Sequence, residues 1–324
     1  MLHISLHKIF ILAGMLIIGL ASLSAQATIV ASVKPIGFIA ATIADGVTSV
    51  SVLLPDGASV HSYALRPSDI KNLKNAELVV WVGPDMEAFM SKAISNVSIL
   101  HNNIQIDQIP GVQALLLRGV EHAELGSLYR HIGEKKIENS VSTDRQGRHY
   151  HGEYNMHLWM SPDIAKKIAI AIHAKLLQQM PISQDKLDAN LRYFQSTLFV
   201  ANDKIHKQLA PFKDKGYLVF HDAYTYFEKH YGLSPTGYFT INPEIQPGAK
   251  RLHHIRMKLI EQKGICIFAE PQLRPTVMQA ISRGTDVRSG ILDPLGASIT
   301  LSKDSYVQFL VQLSDQYTSC FKGD

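Results

Sequence analysis

The sequence predicts an α/β fold with parallel strands, divided into two domains. Apolar runs such as residues 217–220 lack polar alternation, as buried strands of parallel sheets do, and helical patterns follow them. About 300 residues remain beyond the amino-terminal segment, which suggests two domains. A helical pattern of about 26 residues, about 39 Å long, lies between Pro181 and Pro211 and suits a rigid spacer between lobes; a helix packed within one domain is the alternative.

The first 27 residues predict a cleaved signal peptide. Lys8 precedes an apolar run at 9–20, and Ala25-Gln26-Ala27 is a small-x-small cleavage pattern, so the mature chain is expected to begin at Thr28. The run is too short for a membrane-spanning helix, and no later run of about 18 apolar residues replaces it. We therefore expect an exported protein that does not span a membrane.

Charge and cysteine content narrow the class of protein. The net charge is +4, and basic residues are mixed with acids along the chain, which argues against a nucleic-acid groove. Cys266 and Cys320 are the two cysteines, and an oxidising destination predicts a disulfide between them. Two unpaired buried thiols are the alternative.

Residues 28–106 alternate strand and helix patterns. The predicted elements are strand 28–33, a helix from Lys34 that stops at Gly46, strand 49–54, helix 66–75, strand 77–82, helix 86–94 and a weaker strand around Ile104 and Ile106. The polar loop after the second strand carries His61. This places His61 just past a strand end.

Residues 119–156 form a polar stretch without apolar periodicity. Loops of this length are usually functional or disordered. His149 and His151 lie in it as a His-x-His pair and could collect zinc with low affinity. His157 follows, just ahead of a helix whose start is marked by Ser161-Pro162-Asp163.

The carboxyl-terminal part repeats the alternation. His221 follows strand 217–220, and a helix capped by Asp222 is expected to begin at once. Later predicted elements are a helix with inner face Leu252, Ile255, Leu259 and Ile260, strand 265–269 ending at Glu270, helix 275–281, a strand end before Asp293, and a closing helix at 304–319.

His61, His157 and His221 thus come from three segments, each just past a strand or before a helix. In open α/β sheets such edges bind ligands, and three imidazoles with one oxygen ligand would make a tetrahedral zinc site. No HExxH, GxSxG, GxxxxGK[ST] or helix-opening GxGxxG motif is present. A hydrolase remains the alternative, with a zinc-bound water and Glu270 or Asp293 as general base.

Seven sequence blocks carry a resemblance to one family. They are LPDGASVHSYALRPSD at 54–69, VVWVGPDMEAF at 79–89, HLWMSPD at 157–163, residues 219–232, NPEIQPGA at 242–249, FAEPQ at 268–272 and LDPLGA at 292–297. In this order they resemble the periplasmic zinc-binding proteins of zinc ABC importers, the ZnuA type within the cluster of metal-binding solute receptors.

The resemblance implies two lobes, each a small parallel sheet wrapped by helices, joined by one long rigid helix, with limits expected at 28–182, 183–210 and 211–324. It implies a periplasmic receptor, expected to be a monomer and not an enzyme, that carries zinc to a permease of an ABC importer. His61, His157 and His221 match the family's metal-binding histidines. Cys266 and Cys320 match a disulfide of related members.

Two departures from the family pattern bear on the site. Some members place a metal-binding glutamate directly before the first histidine, where this chain has Val60, so the fourth ligand is expected to be Asp293 or water. The polar insertion carries fewer histidines than that of other members. Manganese or iron receptors of the same cluster are the near alternative, and three imidazoles favour zinc over manganese.

Overall fold

The computed structural model describes residues 28–95, 102–119, 154–239, 248–261, 265–271, 278–279 and 282–323. The predicted signal peptide, the His149 and His151 pair and most of the predicted helix 275–281 lie outside these residues. Within them, no helix is both long and apolar enough to cross a membrane.

Eight strands and eight longer helices are described, and they alternate along much of the chain. In order they are β1 Thr28–Ala31, α1 Lys34–Ile43, β2 Ser49–Val52, α2 Pro67–Asn75, β3 Leu78–Trp81, α3 Ala88–Ile94, β4 Asn103–Gln105, α4 Pro162–Gln179, α5 Gln184–Leu209, β5 Tyr217–Val219, α6 Thr225–Tyr231, β6 Gly237–Tyr238, α7 Ala249–Glu261, β7 Cys266–Ala269, β8 Arg288–Ile291 and α8 Ser305–Lys322.

The strands form two four-stranded parallel sheets, which confirms the predicted α/β fold. The amino-terminal sheet has the order β2-β1-β3-β4, and the carboxyl-terminal sheet has the order β6-β5-β7-β8. In both, the earliest strand lies inside the sheet. The carboxyl ends of neighbouring strands therefore meet at one edge, where loops can bring side chains together.

The long helix α5 is confirmed within a residue or two of its predicted ends. It buries one face along its length, from Leu187 through Phe194 to Leu209. It packs on α1 and α4 at the amino-terminal side and on α6 and α8 at the carboxyl-terminal side. The helix thus joins the two lobes and also belongs to their packed interior, while the residue limits of the lobes stay predictions.

One hydrophobic core runs through both lobes. Phe38 on α1 lies 6.0 Å from Phe309 on α8, measured between ring centroids, and Phe194 on α5 lies 5.7 Å from Tyr306. All four rings are at most 1% exposed and belong to one cluster of buried residues. The closing helix α8 therefore crosses back onto the amino-terminal lobe.

The predicted disulfide is confirmed. Cys266, the first residue of β7, is bonded to Cys320 near the end of α8. The pairing ties the closing helix to an inner strand of the carboxyl-terminal sheet. The alternative of two unpaired thiols is wrong.

Three local predictions need correction. Helix α6 begins at Thr225, because residues 220–223 form a bend in which Ala223 donates its N–H to the His221 carbonyl at 2.9 Å. Asp222 does not cap α6; its carboxylate accepts from the Thr225 hydroxyl. Ile260, expected on the inner face of α7, is 46% exposed.

Candidate metal centre

His61 lies on the turn between β2 and α2. The preceding residue, Val60, is 4% exposed and packs in the main core. This packing anchors the turn. The backbone N–H of His61 donates to the Ser59 hydroxyl at 3.3 Å. His61 itself is half-buried. It is the least enclosed of the three predicted histidines.

His157 is held by the chain that enters helix α4. Leu158, Trp159 and Met160 form a single 3-10 turn and are all buried, at 1% exposed or less. Ser161 then caps α4, accepting from the Ile164 N–H at 3.2 Å, as its sequence predicts. The anchored turn leaves His157, itself 7% exposed, fixed at the amino-terminal side of the helix.

His221 is placed by the register of the carboxyl-terminal sheet. Val219 on β5 pairs with Phe268 on β7, so two residues further along each strand His221 stands opposite Glu270. The two side chains meet there: His221 Nδ1 and Glu270 Oε1 are 2.5 Å apart. His221 is 4% exposed and Glu270 7%.

The three histidines converge although 96 and 64 residues separate them along the chain. One nitrogen from each ring lies within 4.8 Å of the others, and the Nε2 atoms of His157 and His221 are 3.3 Å apart. Zinc–nitrogen bonds of about 2.0–2.1 Å at the tetrahedral angle place two ligand nitrogens roughly 3.3–3.4 Å apart. This pair is therefore already at the edge length of a zinc tetrahedron.

The outer nitrogens of two rings are occupied by hydrogen bonds. Besides Glu270 on His221, Asn155 Oδ1 lies 2.9 Å from His157 Nδ1. Metal-binding histidines commonly hold their second nitrogen this way, which fixes the ring and its tautomer. Both rings can therefore present Nε2 to an ion.

Asp293, the predicted fourth ligand, is 5% exposed and stands at the end of β8. Its Oδ1 accepts from the N–H groups of Leu295 and Gly296, both at 3.0 Å, and its Oδ2 accepts from that of Ala297 at 2.7 Å. Among the described residues the group at metal-binding separation contains the three histidines alone. Asp293 as a ligand stays a prediction.

Tyr224 lies beside these acids but is held protonated. Burial raises its pKa well above the ordinary value, and the charges of Glu270 and Asp293 add to the shift. Its hydroxyl donates to the Leu292 carbonyl at 3.1 Å. A neutral phenol that donates its proton to a carbonyl does not serve as an anionic ligand.

The sequence did not point to Asn155, nor to the contact between Glu270 and His221. Glu270 was expected as a possible general base, and in the structure its carboxylate is bound to the outer nitrogen of His221. The signal for Asn155 was its position two residues before His157, because an asparagine side chain can accept from the backbone N–H two residues on. His149 and His151 lie outside the described residues, so zinc capture by them stays a prediction.

In sequence, this chain resembles known zinc-uptake proteins. The family described as zinc-uptake complex component A, periplasmic, matches residues 29–320. A relative from Yersinia pestis, named high-affinity zinc uptake system protein ZnuA, is 57% identical over 300 residues, covering 92% of each chain. A protein of the same name from Haemophilus influenzae is 41% identical over 319 residues, covering 93% of this chain and 94% of the other.

Solved structures share the fold at lower identity. A crystal structure of ZnuA has a TM-score of 0.70 at 22% identity, covering 91% of this chain and 99% of the other. The periplasmic zinc binding protein TroA from Treponema pallidum has a TM-score of 0.70 at 17% identity, with the same coverage. At these identities the structural likeness shows the two-lobed fold alone.

Proposed function

Because the chain belongs to the family of periplasmic zinc-uptake component A proteins, we propose that it is a high-affinity zinc receptor that delivers Zn(II) to an ABC importer permease. The observation that carries the proposal is the convergence of His61, His157 and His221, with two Nε2 atoms 3.3 Å apart. Zinc is the transported ligand in this proposal.

The donor set supports zinc over the alternative metals. Three imidazole nitrogens suit Zn²⁺, whereas manganese is better held by oxygen-rich sites. The Glu270 carboxylate is hydrogen-bonded to His221 Nδ1. It therefore offsets part of the charge of the ion without taking a coordination position. The fourth position is proposed for Asp293, or for water if its carboxylate keeps all three backbone bonds.

The proposed setting is the periplasm, entered after removal of residues 1–27. The receptor is proposed to act as a monomer that docks on the permease. His149 and His151 are proposed to collect zinc with low affinity without forming part of the main site. The family membership and the relatives' names support the setting and the partner.

Zinc-dependent stability tests the assignment. An ion that binds only the folded protein raises the free energy of unfolding by about 2.7 kcal/mol at a hundredfold excess over the dissociation constant. We expect zinc, added after chelator treatment, to raise the melting temperature of the wild type and to do so far less in His61→Ala, His157→Ala and His221→Ala.

The matched control is His173→Ala. His173 is a half-buried histidine on α4 whose Nε2 lies 2.7 Å from Asp188 Oδ1, and it has no part in the three-histidine group. Its loss should leave the zinc response intact. No zinc-dependent rise in the wild type, or an equal rise with manganese, would refute the zinc assignment.

A receptor does not need to catalyse a reaction, so we propose that the chain is not an enzyme. A zinc hydrolase would need a zinc-bound water beside a general base. The carboxylate of Glu270, one candidate base, is instead hydrogen-bonded to His221 Nδ1. We expect esterase, lactamase and peptidase assays of the zinc-loaded protein to equal those of His221→Ala. Turnover that this substitution abolishes would establish the hydrolase instead.

A further inference from the structure

Asn155 lies behind the metal centre and joins four segments. The residue is 6% exposed. Its Oδ1 faces both His157 Nδ1, at 2.9 Å, and the His157 N–H, at 3.0 Å, and its Nδ2 donates to the Asp222 carbonyl at 2.8 Å. Its backbone N–H donates to the Leu117 carbonyl at 2.8 Å, and its carbonyl accepts from the Tyr226 hydroxyl at 2.7 Å.

These partners fix the orientation of the amide. The backbone N–H of His157 can only donate, so the atom that faces it must be Oδ1; the carbonyl of Asp222 can only accept, so Nδ2 must face it. Because Oδ1 is an acceptor, His157 Nδ1 must carry the proton in the bond between them. The neutral ring then has its lone pair on Nε2, the atom that lies 3.3 Å from His221 Nε2.

The same amide also ties the two histidine segments together. Asp222 directly follows His221, and the Nδ2 bond to its carbonyl holds the bend after β5 against the segment before α4. Tyr226 on α6 closes a second bond across the same gap. The spacing between the His157 and His221 segments is therefore set in part by one side chain.

We propose that Asn155 is a positioning residue for zinc, which fixes His157 as an Nε2 ligand and holds the His221 bend at ligand distance. The inference rests on the proposed zinc-receptor function. It also explains why an amide stands here. A carboxylate of the same size accepts from His157 equally well, but it cannot donate to the Asp222 carbonyl and would face that oxygen with a negative charge.

Two substitutions separate the two roles. Asn155→Ala removes both the acceptor and the donor, and loss of such an outer partner typically weakens metal binding 10–100-fold. Asn155→Asp keeps the acceptor and loses the donor. Zinc affinity is measured by competition with a chromogenic chelator, and the ring tautomer of His157 by nitrogen-15 shifts of the zinc-free protein at fixed neutral-to-alkaline pH.

Asn190→Ala is the matched control. Asn190 on α5 is also 6% exposed, and its Nδ2 donates to the carbonyls of Ile43 and Asp45, which lie at the end of α1. We expect it to lower the melting temperature while leaving zinc affinity and the His157 spectrum unchanged. A 10–100-fold loss in Asn190→Ala as well would overturn the positioning role, because any buried amide would then matter equally.

The expected spectrum shows proton-bearing Nδ1 on His157 in the wild type and in Asn155→Asp, and a mixture of tautomers in Asn155→Ala. Wild-type affinity in Asn155→Ala, or one tautomer pattern in all variants, would overturn the proposal. If Asn155→Ala does not fold, the wild-type spectrum decides, and a His157 ring that carries its proton on Nε2 overturns the proposal. A wild type that binds no zinc refutes the receptor function, and the zinc-free spectra still test the tautomer assignment.

Discussion

Glu228 makes the free energy of unfolding depend on pH, and one substitution should remove this dependence. The residue lies on α6, is 2% exposed, and its Oε1 accepts from the hydroxyls of Tyr217, at 3.0 Å, and Tyr317, at 2.9 Å. Burial raises its pKa from an ordinary 4.5 to about 8, against the two tyrosine bonds, which lower it. Below pH 8 the folded protein therefore keeps this carboxyl neutral.

The sign follows from proton binding in the two states. Between pH 4.5 and about 8 the unfolded chain has lost the Glu228 proton while the folded chain retains it, so the free energy of unfolding falls as pH rises. Each pKa unit is worth about 1.4 kcal/mol, which puts the loss across this window at about 5 kcal/mol. Below pH 4.5 and above pH 8 this contribution is constant.

Glu228→Gln imitates the neutral acid at every pH and keeps an oxygen for both tyrosines. We expect its free energy of unfolding to match that of the wild type near pH 5 and to exceed it by several kcal/mol at pH 9. Urea unfolding at pH 5 to 9, in chelator so that zinc does not contribute, measures both curves. Glu87, another buried acid whose pKa is raised to about 7 by burial, is present in both proteins and cancels in the difference.

Glu77→Gln, which removes an exposed carboxylate, controls for the loss of charge alone. A constant offset between wild type and Glu228→Gln from pH 5 to 9 would refute the reasoning, since it would mean that the buried carboxyl does not titrate inside this window.

Three further outcomes are expected. Replacing both Cys266 and Cys320 by serine should cost about 4 kcal/mol in urea unfolding, for a sequence separation of 54 residues in the loop-entropy account; zinc affinity should persist, and its loss would assign the disulfide a part in the site. Deleting residues 122–151 should leave one tight zinc per chain by calorimetry, and fewer would make that segment part of the main centre. Asp293→Asn should weaken zinc binding more than tenfold, about 1.4 kcal/mol, if the carboxylate is the fourth ligand; an unchanged dissociation constant gives the position to water.

The sequence predicted the fold well wherever its periodic patterns were long. The long helical pattern between Pro181 and Pro211 located α5 closely, because the two prolines mark where the pattern can begin and end. Strand β6 was missed, since Gly237–Tyr238 is two residues long at a sheet edge and carries no pattern. The late start of α6 was missed because the bend at His221 depends on backbone bonds that composition does not encode.

The three histidines of the candidate site could be predicted from the sequence, but the residues that hydrogen-bond to them could not. Histidines at segment ends pointed to a shared edge, and the three rings do meet. The parallel register of β5 and β7 sets Glu270 opposite His221. It could not be predicted, because the sequence does not show that β7 lies beside β5 and not beside β6. Asn155 binds Asp222, 67 residues away, and no local pattern encodes such a contact.

Phe38 and Phe309 lie in one buried interior that both lobes share, so we expect the whole chain to unfold as a single cooperative unit. Heating should give one calorimetric peak whose measured enthalpy equals the van't Hoff enthalpy; two resolved peaks would show that the lobes melt independently. In such a protein, a destabilising substitution in α8 lowers zinc binding even when it changes no contact of the histidines. It lowers the fraction of molecules that are folded, and with it the fraction that can carry an ion.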